Sequence, residues 1–355
     1  MKQNQLSFPG LGIEEFTIDA IAFQIGSVRV AWYSIIITLG IILAILYVWF
    51  RFKEAGLKSD DLLDFVLFVV PFGIVGARLY YVVFEFDRFY VEGNLGETLL
   101  KIVQVWNGGL AIYGGIIAGG IAAVLVARHK KIKLLKILDM LAPAVMMAQA
   151  IGRWGNFMNV EAFGGPTTLP WRMCSPRIAK NFFNNDLVTS DEYFKVLTGE
   201  LGAHPTFFYE SLWNIIGFVV IYFLFVRNKK LHKIDGQLFY SYLIWYGLGR
   251  AWIEGLRTDS LYLIDGVLRV SQLVALLSFI TGVGLMIFGL IRYYKYGKGK
   301  MVVVIPRDKN GKIIKEEAIH PVKNEAKEEV KSNGTNNQRK RSGSKGKRKN
   351  KKRRR

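Results

Sequence analysis

The fold is decided by the stretch Gly152-Arg153-Trp154-Gly155-Asn156-Phe157-Met158-Asn159-Val160-Glu161-Ala162-Phe163-Gly164, which follows a long apolar run over residues 132–151. An arginine, two asparagines and a glutamate therefore arrive together where a membrane helix should be ending. Such groups are costly at membrane depth and usually serve a function. The structural alternative is that Arg153 snorkels to the interface while the asparagines cap the helix. A snorkelling arginine does not need two amides and a carboxylate beside it, so the stretch predicts a functional site.

Composition points to a membrane protein. The chain has 355 residues, of which 51% are hydrophobic and 14% aromatic, and its mean hydropathy is +0.22. Soluble domains rarely have this composition. The single cysteine, Cys174, allows no internal disulfide and no cysteine metal cluster, and the four histidines are scattered. We therefore expect no metal and no cofactor.

Seven membrane-spanning helices are predicted, so the expected fold is all-α and polytopic. Their approximate ranges are 28–50, 62–84, 110–127, 134–152, 207–226, 238–256 and 268–291. No cleavable signal pattern precedes the first of them. Residues 16–25 alternate apolar and polar side chains and could lie along the membrane surface as an amphipathic segment.

The loops predict the orientation. Lys and Arg are concentrated in segments 51–58, 128–136 and 227–233 and in the tail, whereas segment 85–106 holds two basic and four acidic residues. Because basic loops stay in the cytoplasm, the N-terminus should lie outside and the C-terminus inside. The end of the fourth span then faces the outer leaflet. Segment 165–205 is too long for a connector and predicts a small extracytoplasmic cap.

Two domains are expected, a seven-helix membrane domain over residues 1–296 and a cytoplasmic low-complexity basic tail over 297–355. Segment 331–355 alone holds 13 Lys or Arg and no acid, out of a net charge of +20. Its composition predicts disorder and is no indication that the body of the protein binds a specific nucleic acid.

Polar residues also occur in the second and third spans. Arg78 lies deep in the second, where it is either functional or part of an interhelical pair with Glu254 or Asp139. The third span opens on the stretch Asn107-Gly108-Gly109-Leu110-Ala111-Ile112-Tyr113-Gly114-Gly115. Glycine pairs at a helix start expose backbone N–H groups that attract anions, although they are also common packing devices.

The fifth and sixth spans carry two further motifs. His204-Pro205-Thr206 opens the fifth span, and Glu210 follows one turn later inside the apolar zone. His204 is either a surface loop residue or part of a site. In the sixth span Arg250, Glu254 and Arg257 share one helical face, with Glu254 placed to bridge the arginines. Such a face must border a polar cavity.

Arg153 and Arg250 are expected at similar depth on the same side of the membrane. Two guanidinium groups aimed at one cavity form a phosphate clamp, because each meets phosphate through two parallel hydrogen bonds. Apolar walls around the clamp would suit acyl chains. The residues alone therefore indicate an anionic phospholipid that enters sideways from the bilayer.

Four of these stretches, within about residues 15–292, resemble the prolipoprotein diacylglyceryl transferase family. They are G-R-W-G-N-F-M-N-V-E-A-F-G at 152–164, the glycine-rich start at 107–115, H-P-T-x-x-Y-E at 204–210 and Y-G-x-x-R-x-x-x-E-x-x-R at 246–257. The resemblance implies a multi-pass enzyme of the bacterial cytoplasmic (inner) membrane. It implies transfer of the sn-1,2-diacylglyceryl group from phosphatidylglycerol to the lipobox cysteine of a prolipoprotein, with thioether formation and release of glycerol 1-phosphate.

The resemblance also supports a hypothesis about residue roles. The catalytic candidates are Arg153, Arg250, Tyr113, Glu254 and His204. The candidates for binding phosphatidylglycerol are Arg153, Asn156, Asn159, Glu161, Gly108, Gly109, Gly114, Tyr33, Tyr246 and Arg257. Tyr33 could equally be an aromatic-belt anchor.

The general base stays open among His204, Glu254 and Tyr113. The family usually has histidine where this chain has Tyr113, and a tyrosine with its reference pKa of about 10 is a poor base at neutral pH. The substrate supplies the nucleophilic thiol, so Cys174 need not act.

The expected partners are phosphatidylglycerol, the lipobox of prolipoprotein signal peptides and membrane lipids, and the oligomeric state stays open. The alternative function is a membrane transporter of an anionic solute. The sequence has no convincing internal repeat, and its polar cluster is biased to one leaflet. Both features count against a transporter.

Overall fold

The computed structural model describes residues 3–26, 28–258, 262–264 and 268–296. Helices dominate this part of the chain. Its α-helices are α1 (Trp32–Glu54), α2 (Ser59–Phe84), α3 (Leu95–Val103), α4 (Ile112–His129), α5 (Leu134–Asn159), α6 (Pro176–Asn184), α7 (Ser190–Thr198), α8 (Thr206–Ile221), α9 (Gln237–Leu256) and α10 (Val270–Tyr296). A π-helical turn over Tyr222–Arg227 continues α8.

Six of these helices are long and apolar enough to cross a membrane, namely α1, α2, α4, α5, α8 with its π-helical turn, and α10. The chain is therefore a polytopic membrane protein. The sixth predicted span corresponds to α9, which is not among the six. Several Tyr, Trp and Gly residues, together with Arg250 and Glu254, lower its hydropathy. Its crossing and the orientation of the termini stay predictions.

The all-α expectation is too narrow, because short antiparallel pairs of strands join the helices. They are β1 (Gln3–Phe8) with β2 (Ile13–Asp19), β3 (Ile21–Ile25) with β4 (Val28–Ala31), β5 (Pro166–Thr167) with β6 (Gly202–Ala203), and β7 (Tyr262–Ile264) with β8 (Leu268–Arg269). The alternating segment 16–25 thus belongs to two hairpins. Alternation with a period of two residues is the pattern of a strand.

The membrane helices pack in pairs around α5. The pairs are α2 with α4, α9 with α10, and α1 with α5, while α5 also contacts α8 and α9. The α2–α4 pair needs glycine, because a side chain at Gly114 would collide with the carbonyl oxygen of Gly76. In consequence α5 lies between the elements that carry the other polar motifs.

The fourth span is longer than predicted, since α5 continues from residue 152 to Asn159. Glycines 152 and 155 do not end the helix. The helix ends at Val160, which adopts a left-handed conformation with φ +48°. Arg153 and Asn156 are three residues apart within the helix and therefore lie on one side of it.

Segment 165–205 folds as a small unit around α6 and α7. Its core consists of Ile178, Phe182 and Val196, all fully buried, together with Leu6 from β1. The backbone of Ser7 pairs with that of Cys174 through two hydrogen bonds of 3.0 Å. The N-terminal hairpin is therefore part of the predicted cap. The tail, residues 297–355, lies outside the described residues, and its disorder stays a prediction.

Candidate active site

The carboxylate of Glu210 on α8 gathers three arginines. Its oxygens lie 3.0 and 3.2 Å from Nη1 of Arg250 and 3.6 Å from Nη1 of Arg257, and they form an ion pair with Nη2 of Arg153. The Glu210 side chain is 7% exposed and that of Arg250 is 16% exposed. At this burial each charge requires its partners.

Arg250 has a second carboxylate partner, because its Nη2 lies 2.7 Å from Glu254. These two residues are one turn apart on α9, as the sequence predicts. Arg257 follows the last residue of α9, and its backbone pairs with that of Gly164. The sequence predicts that Glu254 bridges Arg250 and Arg257. In the structure Glu210 bridges Arg153, Arg250 and Arg257.

The polar residues of the opening stretch form one connected network. Oε1 of Glu161 accepts hydrogen bonds from the side-chain amides of Asn156 at 3.0 Å and Asn159 at 3.1 Å. Asn156 in turn lies 3.5 Å from Arg153 through its Oδ1. Left-handed conformations at Val160 and at Ala162 fold Glu161 back over the end of α5. The network therefore continues from the arginine cluster to the helix end.

Three tyrosines flank this cluster. Tyr246, one turn before Arg250 on α9, lies within electrostatic reach of Arg153 and Glu210 and also of Tyr113 on α4. On α1, Tyr33 lies against Gly155, where an added Cβ would come within 2.8 Å of its ring. Side chains from α1, α4, α8 and α9 therefore lie around the end of α5.

An open apolar groove lies between α1, α5 and α8, and its lining includes Trp154 and Ser211, the chain neighbours of Arg153 and Glu210. It has a volume of about 300 Å³. Its lining includes Leu39, Ile151, Trp154 and Ile215, and two of these residues flank Arg153 within α5. A charged cluster next to an open apolar groove can accommodate an amphipathic molecule.

Comparison with known proteins identifies the family. The family model described as prolipoprotein diacylglyceryl transferase matches residues 20–288. This chain belongs to the prolipoprotein diacylglyceryl transferase family. Similar proteins named phosphatidylglycerol-prolipoprotein diacylglyceryl transferase occur in Lysinibacillus sphaericus and Staphylococcus aureus. The first is 41% identical over 277 residues, 78% of this chain and 93% of the relative. The second is 39% identical over 283 residues, 80% and 93% respectively.

The transferase uses Arg78 differently from either predicted ion pair. Its guanidinium donates to backbone carbonyls that surround it, those of Lys101 (2.7 Å), Ile102 (2.8 Å), Gln104 (3.1 Å), Gly109 (3.0 Å) and Gly108. The side chain is buried and also lies 4.7 Å from the ring centroid of Phe89. Arg78 therefore fixes the connection between α3 and α4.

Asp139, the other suggested partner of Arg78, caps α9 instead. Its carboxylate accepts from the backbone N–H groups of Gly236 at 2.7 Å, Leu238 at 2.9 Å and Phe239 at 3.1 Å. These are N–H groups at the start of a helix that lack partners within it. The charge of Asp139 is thus satisfied at the opposite end of α5 from Arg153.

The glycine pairs are engaged in backbone geometry and packing. Gly108 and Gly109 have φ of +84° and +72°, and the N–H of Gly108 donates to the carbonyl of Val105 at 3.3 Å. Gly114 is buried against α2. The N–H of Gly108 is therefore not unpaired, and Gly114 has a packing reason for being glycine. Binding of phosphatidylglycerol by Gly108, Gly109 and Gly114 stays a prediction.

His204 belongs to a hydrogen-bonded chain with the cap. Nε1–H of Trp171 donates to the hydroxyl oxygen of Tyr209 at 2.6 Å, and that hydroxyl lies 3.2 Å from Nδ1 of His204. The indole can only donate, so the Tyr209 oxygen accepts from Trp171 and shares a second hydrogen bond with Nδ1 of His204. Burial also lowers the pKa of His204. Burial therefore favours the neutral imidazole over the charged one.

Cys174 is buried and its sulfur lies 3.2 Å from the carbonyl oxygen of Leu201. Burial raises the pKa of this thiol to about 11, so it is protonated at neutral pH. Its position within the cap suits a structural residue. Among the described residues no group of three or more His, Cys, Asp or Glu side chains could hold a metal ion.

Glu210 lies at the centre of the site but is not among the site residues that the sequence predicts. The sequence places it in an apolar span, one turn after Thr206, yet gives no partner for it. The available signal was charge balance, because several arginines in an apolar bundle require a buried carboxylate. Only the packing of α8 against α5 and α9 shows that Glu210 supplies it.

Proposed function

We propose that the transferase moves the sn-1,2-diacylglyceryl group of phosphatidylglycerol to the lipobox cysteine of a prolipoprotein. The product is a thioether, and glycerol 1-phosphate is released. Family membership supplies the reaction class, and the names of the relatives supply the two substrates. The observation that carries the assignment of the site is the contact of Arg153 and Arg250 with one carboxylate.

The arginine cluster suits a phosphodiester. Three arginines and two glutamates, Glu210 and Glu254, give these five side chains a formal charge of +1. One phosphodiester anion neutralises that charge. The guanidinium groups of Arg153 and Arg250 have five N–H donors each, more than their contacts with Glu210, Glu254 and Asn156 use, so donors remain for phosphate oxygens. Asn156, Asn159 and Glu161 offer amide and carboxylate groups that match the hydroxyls of the glycerol head group.

The reaction is a displacement at carbon. The cysteine sulfur forms a bond to the sn-3 carbon of the diacylglyceryl group while the bond from that carbon to the phosphate oxygen breaks. The phosphate leaves with the electron pair, and Arg153 and Arg250 stabilise its added charge. The thiol proton passes to a base or to solvent. A free thiol of pKa about 8.5 is already a few per cent thiolate at pH 7, so a weak base suffices.

The same proposal places the site in the outer leaflet of the bacterial cytoplasmic membrane. Here α9 is the sixth of seven spans, the N-terminus and the cap lie outside, and the basic tail lies in the cytoplasm. Lys and Arg near the ends of α1 and α4 and after α8 support this orientation. The apolar groove beside Trp154 then opens toward lipid and can receive acyl chains.

The function is tested by incubating the purified protein with phosphatidylglycerol and a lipobox peptide. We expect a mass gain of one diacylglyceryl unit on the peptide, and no gain on a peptide whose cysteine is replaced by serine. Unmodified peptide despite folded protein would contradict the proposal. Flux of an anionic solute across liposomes without any peptide product would favour the transporter.

A further inference from the structure

A polar contact outside the arginine cluster joins α5 and α9. Nε2 of Gln149 donates to the hydroxyl of Tyr242 at 3.0 Å. Gln149 precedes Arg153 by four residues, and Tyr242 precedes Tyr246 by four, so each lies on the same helical side as its neighbour in the site. Four residues of helix span about 6 Å. The Gln149–Tyr242 pair is therefore one turn away from Arg153, toward the middle of α5.

This pair has hydrogen-bonding capacity that the protein leaves unused. Oε1 of Gln149 is fully buried and has no partner among the described residues. The amide has two N–H donors, the phenol has one O–H donor, and their mutual bond uses one of the three. Two donors remain with either assignment of the amide oxygen and nitrogen. When the two atoms are exchanged, the Tyr242 hydroxyl donates to the amide oxygen, and both N–H groups of Gln149 occupy the buried unpaired position. Buried polar groups are normally paired, and at membrane depth an unpaired one is costly.

The position of the pair relative to the arginines indicates what fills this capacity. A phospholipid whose phosphate is held by Arg153 and Arg250 directs its head group away from the membrane centre. Its glycerol backbone and two ester groups lie on the opposite side of the phosphate, in the direction of Gln149. Ester carbonyls accept hydrogen bonds and cannot donate them. They are therefore complementary to the two unused donors.

We propose that Gln149 and Tyr242 bind ester carbonyl oxygens of the donor lipid, and that the transferase thereby selects diacyl lipids over dialkyl ether lipids. This inference rests on the proposed function, because it uses the lipid phosphate as the fixed point. Neither residue touches the reacting atoms, so both determine specificity and position the lipid.

The test compares two donors with one lipobox peptide: diacyl phosphatidylglycerol and its dialkyl ether analogue with the same chain lengths. We expect wild-type kcat/KM to favour the ester lipid by about tenfold or more, since a site built for a hydrogen bond rejects an analogue that lacks it. Gln149→Leu and Tyr242→Phe should each lower the rate with the ester lipid, leave the ether rate nearly unchanged, and so reduce the ratio. Tyr222→Phe, in the π-helical turn, is the matched control and should keep the wild-type ratio.

Two failures are distinguishable. Absence of product from either lipid with folded wild-type protein overturns the proposed function and this inference with it. Normal turnover of the ester lipid with an equal rate for the ether lipid overturns the inference alone, and so does a wild-type ratio retained by Gln149→Leu and Tyr242→Phe. The ether rate reports folding, because a misfolded variant loses both activities. If both variants lose both activities, the test rests on the wild-type ratio of kcat/KM for the ester lipid to kcat/KM for the ether lipid.

Discussion

Arg153 of α5 and Arg250 of α9 contact the same carboxylate, that of Glu210 on α8. Two cations would repel each other in an apolar bundle, and the shared carboxylate holds them together. Their guanidinium groups are therefore positioned before any ligand arrives. Preorganised charges of this kind stabilise charge that develops during a reaction without being reoriented.

Replacing Arg153 with alanine should remove one charged contact to the departing phosphate. We expect kcat/KM to fall about 10²-fold or more. The measurement is the rate of diacylglyceryl transfer to a lipobox peptide. Arg88→Ala is the control, because Arg88 is exposed and pairs locally with Glu85 and Tyr81. Full activity of the Arg153 variant would refute its role in the site.

Replacing Glu210 with glutamine should disturb all three arginines at once. Removing one partner from a buried ion pair costs roughly 3–5 kcal/mol, so unfolding in detergent should occur at a lower temperature. We also expect a rise in KM for the lipid, because the guanidinium groups separate.

Glu210→Asp keeps the negative charge but shortens the side chain. It should recover part of the stability and part of the lipid affinity that Glu210→Gln loses. If glutamine and aspartate variants behaved alike, the charge of Glu210 would not be what positions the arginines.

Arg78→Lys tests whether Arg78 organises the connection between α3 and α4. Arginine reaches five backbone carbonyls, whereas a lysine ammonium has three donors on a single nitrogen. We expect a loss of about 1–3 kcal/mol for each buried carbonyl left without a donor. Thermal unfolding measures the loss, and hydrogen exchange should rise in segment 101–109. Unchanged exchange there would contradict this role.

His204 should make stability depend on pH in the acid range. Burial lowers the pKa of His204 in the folded protein, so below the unfolded value of about 6.5 the unfolded chain binds the proton more readily. Stability is therefore retained above pH 6.5 and decreases as the pH falls below it. We expect the melting temperature to fall more between pH 7 and pH 5 in wild type than in His204→Gln. Equal decreases would show that another group is responsible.

The basic tail should be dispensable for catalysis. Residues 331–355 carry 13 basic side chains and lie outside the described residues, far in sequence from the motifs of the site. Deleting them should leave turnover in detergent nearly unchanged. Their charge could still attract the anionic surface of a membrane, at about 1 kcal/mol for each basic residue close to it. A collapse of turnover in detergent would contradict this prediction.

The sequence alone predicted the polytopic helical membrane architecture, because long apolar runs are a local property of the chain. It also singled out Arg153, Arg250 and Arg257, since charges inside apolar runs stand out against their neighbours. It did not yield the strands at the N-terminus. The alternation of apolar and polar side chains is visible in the sequence there, but the sequence does not show which strands pair.

Partnership between side chains was decided only by the tertiary structure. Glu210 meets Arg153, Arg78 meets backbone carbonyls, and Asp139 meets the start of α9, and none of these pairs is close in sequence. Helical periodicity gives the face of a helix on which a residue lies, whereas packing decides which helix that face meets. The sequence therefore determined which polar groups need partners inside the membrane. The packing of α5 against α8 and α9 decided which residues supply those partners.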